Sequence, residues 1–178
     1  MYLTDPTTGI TAEVNSERKL RTYGVMEPEL AHRSERNRNS YVWTASKDIN
    51  ATDSIIWLRN DSTTQRLHIY CIDVNSNVAG SWFIYCPTGT IADGDAITGV
   101  NLNRQSGKVA LATCRADATG TTPANYIFYG SSMASQNLCV PFLGSLILGY
   151  LDEVAVDITT EATVLAQASI LGYFVDNE

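Results

Sequence analysis

Short apolar runs broken by small polar residues fill the chain from Tyr41 onward. The runs are Tyr41 to Thr44, Ile55 to Arg59, Arg66 to Val74, Ser81 to Cys86, Lys108 to Cys114, Tyr126 to Tyr129, Leu138 to Leu143, Leu146 to Leu151 and Val154 to Ile158. They are rich in β-branched and aromatic residues, which suit a pleated, half-buried surface. Between them stand turn-forming clusters such as Asn60-Asp61-Ser62-Thr63-Thr64, Asn75-Ser76-Asn77 and Pro87-Thr88-Gly89. Many short strands with turn signals between them predict an all-β fold, a jelly-roll-like β-sandwich. The last long run, Glu161 to Gly172, fits two periods. Val164, Leu165, Ala168 and Leu171 would line a helix, whereas Val164, Ala166, Ala168, Ile170, Gly172 and Phe174 would line a strand. A strand is predicted, because the run ends in Tyr173-Phe174-Val175 and no capping box precedes it.

Residues 1–40 break this pattern. Asp5 to Gly9 is a turn signal, and Ile10 to Val14 and Leu20 to Val25 are weak strand candidates. The stretch Glu27 to Arg38 has almost nothing to bury. Ordering its backbone costs about 1–2 kcal/mol per residue, which that stretch alone does not offset. The chain therefore divides into an extended N-terminal arm, 1–40, which either becomes ordered against something else or stays a loose tail, and a β-sandwich body, 41–178.

Charge follows the same division. The net charge is −7. Residues 1–40 carry six basic and six acidic side chains; the other 138 carry six basic and thirteen acidic. A body without clustered positive charge is not expected to bind nucleic acid. The amino terminus does not read as a signal peptide, and the apolar stretch Leu138 to Leu151 is interrupted by Pro141, Gly144 and Gly149, so no membrane span is expected. The expectation is a protein made in a cytoplasm and kept in solution.

Candidate chemistry is sparse. Cys71, Cys86, Cys114 and Cys139 are spaced by 15, 28 and 25 residues, so no Cys-x-x-Cys pair is present. They read as buried free thiols, with no metal site and no cofactor. His32 lies in the polar arm. His68 alternates with Tyr70 along a strand, and pairing it with Cys86 or Cys114 as a thiol nucleophile is the weakest alternative. Asp93-Gly94-Asp95 resembles part of a calcium loop but has no closing Glu, and reads as a turn. Trp43, Trp57, Trp82, Tyr85, Tyr126, Phe128 and Tyr129 read as core and interface residues, or alternatively as a stacking platform for sugars.

The chain resembles a family of small virion proteins of tailed phages. The resemblance is carried by Thr11 to Thr22, Ile55 to Asn60, Leu67-His68-Ile69-Tyr70, Ile170 to Phe174 and, most clearly, Thr98-Gly99-Val100-Asn101-Leu102-Asn103-Arg104-Gln105-Ser106-Gly107-Lys108-Val109-Ala110. It implies a β-sandwich with an N-terminal arm, displayed on a head or tail, and commonly a homotrimer. It brings no functional residues with it. The expected function is a non-enzymatic capsid decoration or cement protein on the virion surface. Its arm would meet the major capsid protein by strand addition or through Arg18, Lys19, Arg21, Arg33, Arg36 and Arg38. The alternative is a carbohydrate-binding or host-recognition module on a fibre or tail.

Overall fold

The computed structural model describes residues 2–4, 11–14, 20–22, 29–49, 53–89, 91–159 and 164–177; for 2–4, 11–14, 20–22 and Ile49 it describes the backbone alone. The turn signal Asp5 to Gly9 lies outside the described residues, as do Arg18 and Lys19. Three short strands, β1 (Tyr2–Thr4), β2 (Thr11–Val14) and β3 (Leu20–Thr22), form an antiparallel meander with each other.

A helical turn, α1 (Glu29–His32), runs into a wider π turn over Arg33–Asn37. This corrects the expectation of an extended stretch here. The turn closes at Arg38, whose φ of 57° is left-handed and whose N–H reaches back to the Arg33 carbonyl.

Eleven strands follow: β4 (Ser40–Ile49), β5 (Ser54–Asn60), β6 (Gln65–Ser76), β7 (Gly80–Tyr85), β8 (Asp93–Ile97), β9 (Val100–Asn101), β10 (Ala112–Thr119), β11 (Tyr126–Ser132), β12 (Leu138–Leu148), β13 (Glu153–Thr159) and β14 (Val164–Asp176). They build two antiparallel sheets, ordered β11-β7-β13-β5-β10-β8 and β12-β6-β14-β4-β9. Without β8, β9 and β10 the orders are β11-β7-β13-β5 and β12-β6-β14-β4. Successive strands change sheet at every step except from β7 to β11. That connectivity is the jelly roll, two Greek keys wrapped across a sandwich. The excursion between β7 and β11 adds an edge to each sheet.

The core between the sheets holds Trp43, Ile56, Leu58, Leu67, Ile69, Ile72, Trp82, Ile84, Val156, Ile170 and Phe174. Burial alternates along β14, with Val164, Ala166, Ala168 and Ile170 inside, as the strand reading of this run predicts. Along β5 the alternation is lost, because the outer face of the six-stranded sheet is covered at this strand too. Trp57, Tyr85, Ala118 and Ala155 form a second cluster there, with Phe83 and Ile91 against it.

Local conformation explains the departures from the sequence pattern. The runs Leu138 to Leu143 and Leu146 to Leu151 belong largely to the single strand β12. Its register against β6 jumps between Pro141 and Leu146, where a wide bulge holds Leu143 (φ 52°) and Gly144 (φ 87°). Asp93-Gly94-Asp95 is not a turn but the start of β8. Gly94 has φ 132° there, and a Cβ would come within 2.9 Å of the Ala116 carbonyl.

Candidate functional site

The first candidate lies where the N-terminal segment joins the body. The loop after β9 grips the backbone of residues 34–39. Asn101 Nδ2 donates to the Arg38 carbonyl at 2.9 Å, Asn103 Nδ2 to the Ser34 carbonyl at 3.1 Å, and Lys108 Nζ to the Asn37 carbonyl at 2.9 Å. Asn39 is fixed from both sides: its carbonyl accepts from Phe174 N, and its side-chain oxygen from Lys108 Nζ. Asn103 is itself set by an Asx turn, Asn101 Oδ1 accepting from its N–H at 2.9 Å. Residues 34–39 are thus hydrogen-bonded to the body.

This clasp gathers positive charge. Arg33, Arg36 and Arg38 lie on the helical turn, and Arg104 and Lys108 come from the loop that holds it. Arg33 is paired with Glu29 at 2.6 Å, Arg36 is exposed and partnered, and Arg38 and Arg104 are exposed. Beside them Val109 is 71% and Leu111 52% exposed, and Val100 and Leu102 are also open. A cleft of about 260 Å³ between Asn39, Tyr41, Gln65, Lys108, Val109, Leu111 and Phe174 runs into this corner. Of the other basic candidates, Arg21 is placed opposite Glu13 in the β2–β3 pairing. Sequence reasoning missed Arg104 and Lys108 as partners of the arm's arginines, although both lie in the segment Thr98 to Ala110 that carries the resemblance most clearly.

The second candidate is aromatic. Trp43, Trp57, Trp82 and Tyr85 are buried, and Phe128 packs at the margin of the core. Tyr126 and Tyr129 instead stand 60% and 65% exposed on the outer face of the six-stranded sheet. Phe83 lies between them, its ring 5.6 Å from Tyr126 and 5.0 Å from Tyr129. Opposite Phe83 on β13 is Asp157. Burial pushes the Asp157 carboxyl up to about 7, and the nearby Asp53 adds to the rise, against a backbone hydrogen bond from Ile158 that favours the charged form.

The cysteines do not behave as one class. Only Cys114 is buried; Cys71 and Cys86 are half-buried and Cys139 is exposed. The expectation of buried thiols therefore holds for Cys114 alone. Burial raises the Cys114 and Cys86 thiols. Cys71 is raised to about 11 by burial, then by the Asp73 charge and by Cys139. His68 is occupied elsewhere: its Nδ1–H donates to the Gly144 carbonyl at 2.9 Å and its ring stacks on Tyr173 at 5.3 Å. It belongs to the five-stranded sheet, whereas Cys114 and the strand leading to Cys86 belong to the six-stranded one. The fold does not assemble the thiol–imidazole pair. Among the described residues no helix is long and apolar enough to cross a membrane. Compared with known proteins, the chain matches no family model, no curated protein and no solved structure.

Proposed function

We propose that this chain is a structural protein of a phage particle, a capsid decoration or cement protein that binds the major capsid protein. The observation that carries the reading is the basic corner at the root of the N-terminal segment. There the bonds from Asn103 and Lys108 join the turn that carries Arg36 and Arg38 to the loop that carries Arg104, and Val100, Leu102, Val109 and Leu111 on and beside that loop are exposed. An apolar centre with an arginine-rich surround is the composition of a protein-docking surface, and its charge is opposite to that of the rest of the chain. The meander β1–β3, which pairs with neither sheet of the sandwich, gives a second element to lay on a shell.

In this reading the body is a homotrimer. Leu143 and Ile147 on β12 and Tyr150 and Leu151 just after it are 44–68% exposed and supply the apolar surface to be covered. The jelly roll is compatible with the proposal but does not choose it, since viral capsid and lectin domains share that architecture. The test is electron microscopy of shells assembled from the co-encoded major capsid protein, with and without this chain. Extra density on the shell is expected. Bare shells at saturating concentrations of the chain would refute the reading.

Carbohydrate binding is the second reading, favoured by Phe83, Tyr126 and Tyr129, because exposed rings stack on the apolar face of a pyranose. A glycan array on the intact chain should then show binding that Tyr129→Ala removes. An array without signal disposes of this reading.

A further inference from the structure

We propose that Cys71, Asp73 and Cys139 form a binding site for a thiophilic divalent cation of the zinc class on the outer face of the five-stranded sheet. Their donor atoms, two Sγ and a carboxylate oxygen, all lie within 4.8 Å of one another. The site follows from strand register. Cys139 on β12 stands directly opposite Asp73 on β6, and Cys71 stands opposite Pro141, two positions along the same face. Residues 66 and 68 apart in sequence are thereby placed on one patch, with Cys71 Sγ 4.0 Å from Asp73 Oδ2.

This geometry suits an ion better than a disulfide. The cysteines are diagonal rather than facing, and diagonal positions across an antiparallel pair lie about 7–8 Å apart. A disulfide usually spans Cα atoms about 4.4–6.8 Å apart, so a diagonal pair suits it less well than a facing one. A tetrahedral ion bonds sulfur at about 2.3 Å and carboxylate oxygen at about 2.0–2.2 Å, which sets the donors roughly 3.6–3.8 Å from each other. The donors, all within 4.8 Å of one another, are already close to that spacing. Cys139 and Asp73 are exposed, so an ion enters from solvent without opening the fold.

The surroundings are already fixed. Asp73 borders a polar cleft of about 390 Å³ with Asn75, Asn137, Thr44 and Ser169. Asn75 Nδ2 donates to Asn137 Oδ1 at 2.7 Å, and the Thr44 and Ser169 hydroxyls bond at 3.1 Å. Ser169 is the residue of β14 that pairs with Asp73. Three protein donors leave the fourth position of a tetrahedral ion to water. On binding, each thiol forms a metal–sulfur bond and releases its proton to solvent, and no electron is transferred.

The test is a titration of the full chain, kept reduced with a phosphine, using cadmium as probe and the cadmium–thiolate ultraviolet absorption as readout. One ion per chain is expected. Cys71→Ser and Cys139→Ser should each weaken binding at least tenfold, and Asp73→Asn should weaken it measurably, while Cys86→Ser leaves it unchanged. Cadmium should also protect Cys71 and Cys139 of the unmutated chain from alkylation, read by peptide mass spectrometry, and leave Cys86 as reactive as before. That measurement needs no variant to fold. A full chain that binds no better than the Cys71→Ser/Cys139→Ser double variant, or equal protection of Cys86, overturns the proposal.

Discussion

Gly144 shows how much one position can carry. It sits in the β12 bulge with φ 87°, and a Cβ added there would fall on the Tyr173 hydroxyl. Its carbonyl also receives the His68 Nδ1–H, and His68 stacks on Tyr173. Gly144→Ala should therefore cost about 1–3 kcal/mol through strain at positive φ and overpacking, seen as a lower denaturant midpoint with unchanged slope. Asp157 acts through protons instead. Its folded carboxyl titrates near 7, above the value of an unfolded aspartate, about 3.9. The folded state therefore binds this proton more tightly, and its contribution is present in acid and lost as pH rises from about 4 through 7. Asp157→Asn should flatten that part of the stability–pH curve and leave the variant more stable than the parent above pH 7; thermal unfolding across the range checks both. Neither effect was legible in the sequence. Gly144 reads there as a simple break in an apolar run. The same holds for Cys71, Asp73 and Cys139: linear spacing reveals no ligand set, because the pairing of β6 with β12 is what brings them together.

Elements were legible where composition and burial agree. The period of β14 is two because one face lies on the core, and Val164, Ala166, Ala168 and Ile170 record that directly. The segment Lys108 to Cys114 was misplaced: β10 begins at Ala112 and continues through Arg115, Ala116 and Asp117 to Thr119. A left-handed Asp117 (φ 52°) and a register shift between Ala116 and Thr119 accommodate the polar residues that make this stretch look like a loop. Residues 29–39 carry the larger correction. They have few apolar groups, but carbonyls among them accept from side chains 63–71 positions downstream and from the backbone of β14, a kind of stabilisation no local pattern displays. A testable contrast follows. Removing residues 1–28 should leave the unfolding midpoint of the body nearly unchanged. Removing 1–39 strips acceptors from Asn101, Asn103 and Lys108 and should lower it; side chain–backbone bonds of this kind contribute about 0.5–1.5 kcal/mol each. Equal midpoints for the two truncations would show that the clasp does not stabilise the body.

At the scale of the whole molecule, a sandwich could be anticipated from strand number and turn spacing, but strand order could not. The jelly roll is fixed by pairings between β4 and β14 and between β5 and β13, which are set by long-range burial rather than by adjacent sequence. The same closure decides where charge ends up. It carries the loop 102–108 back onto the turn at 33–38, so in a chain of net charge −7 the segments that carry Arg36, Arg38, Arg104 and Lys108 meet. The same helical segment carries Glu29 and Glu35, so basic side chains outnumber acidic ones there without standing alone; that excess favours encounter with an acidic surface, and exposed ion pairs formed there would contribute only about 0.2–1 kcal/mol each. The proposed attachment to a shell would then draw on the apolar side chains Val109 and Leu111 for residence and on the basic ones for capture. The two classes of variant should separate kinetically. Arg36→Glu/Arg38→Glu/Arg104→Glu is expected to slow association with capsid shells and to reduce its salt dependence, whereas Val109→Ser/Leu111→Ser should chiefly speed release, both read by surface-immobilised binding kinetics at two ionic strengths. If both variants bind as the parent does, the corner is not the face that meets the shell.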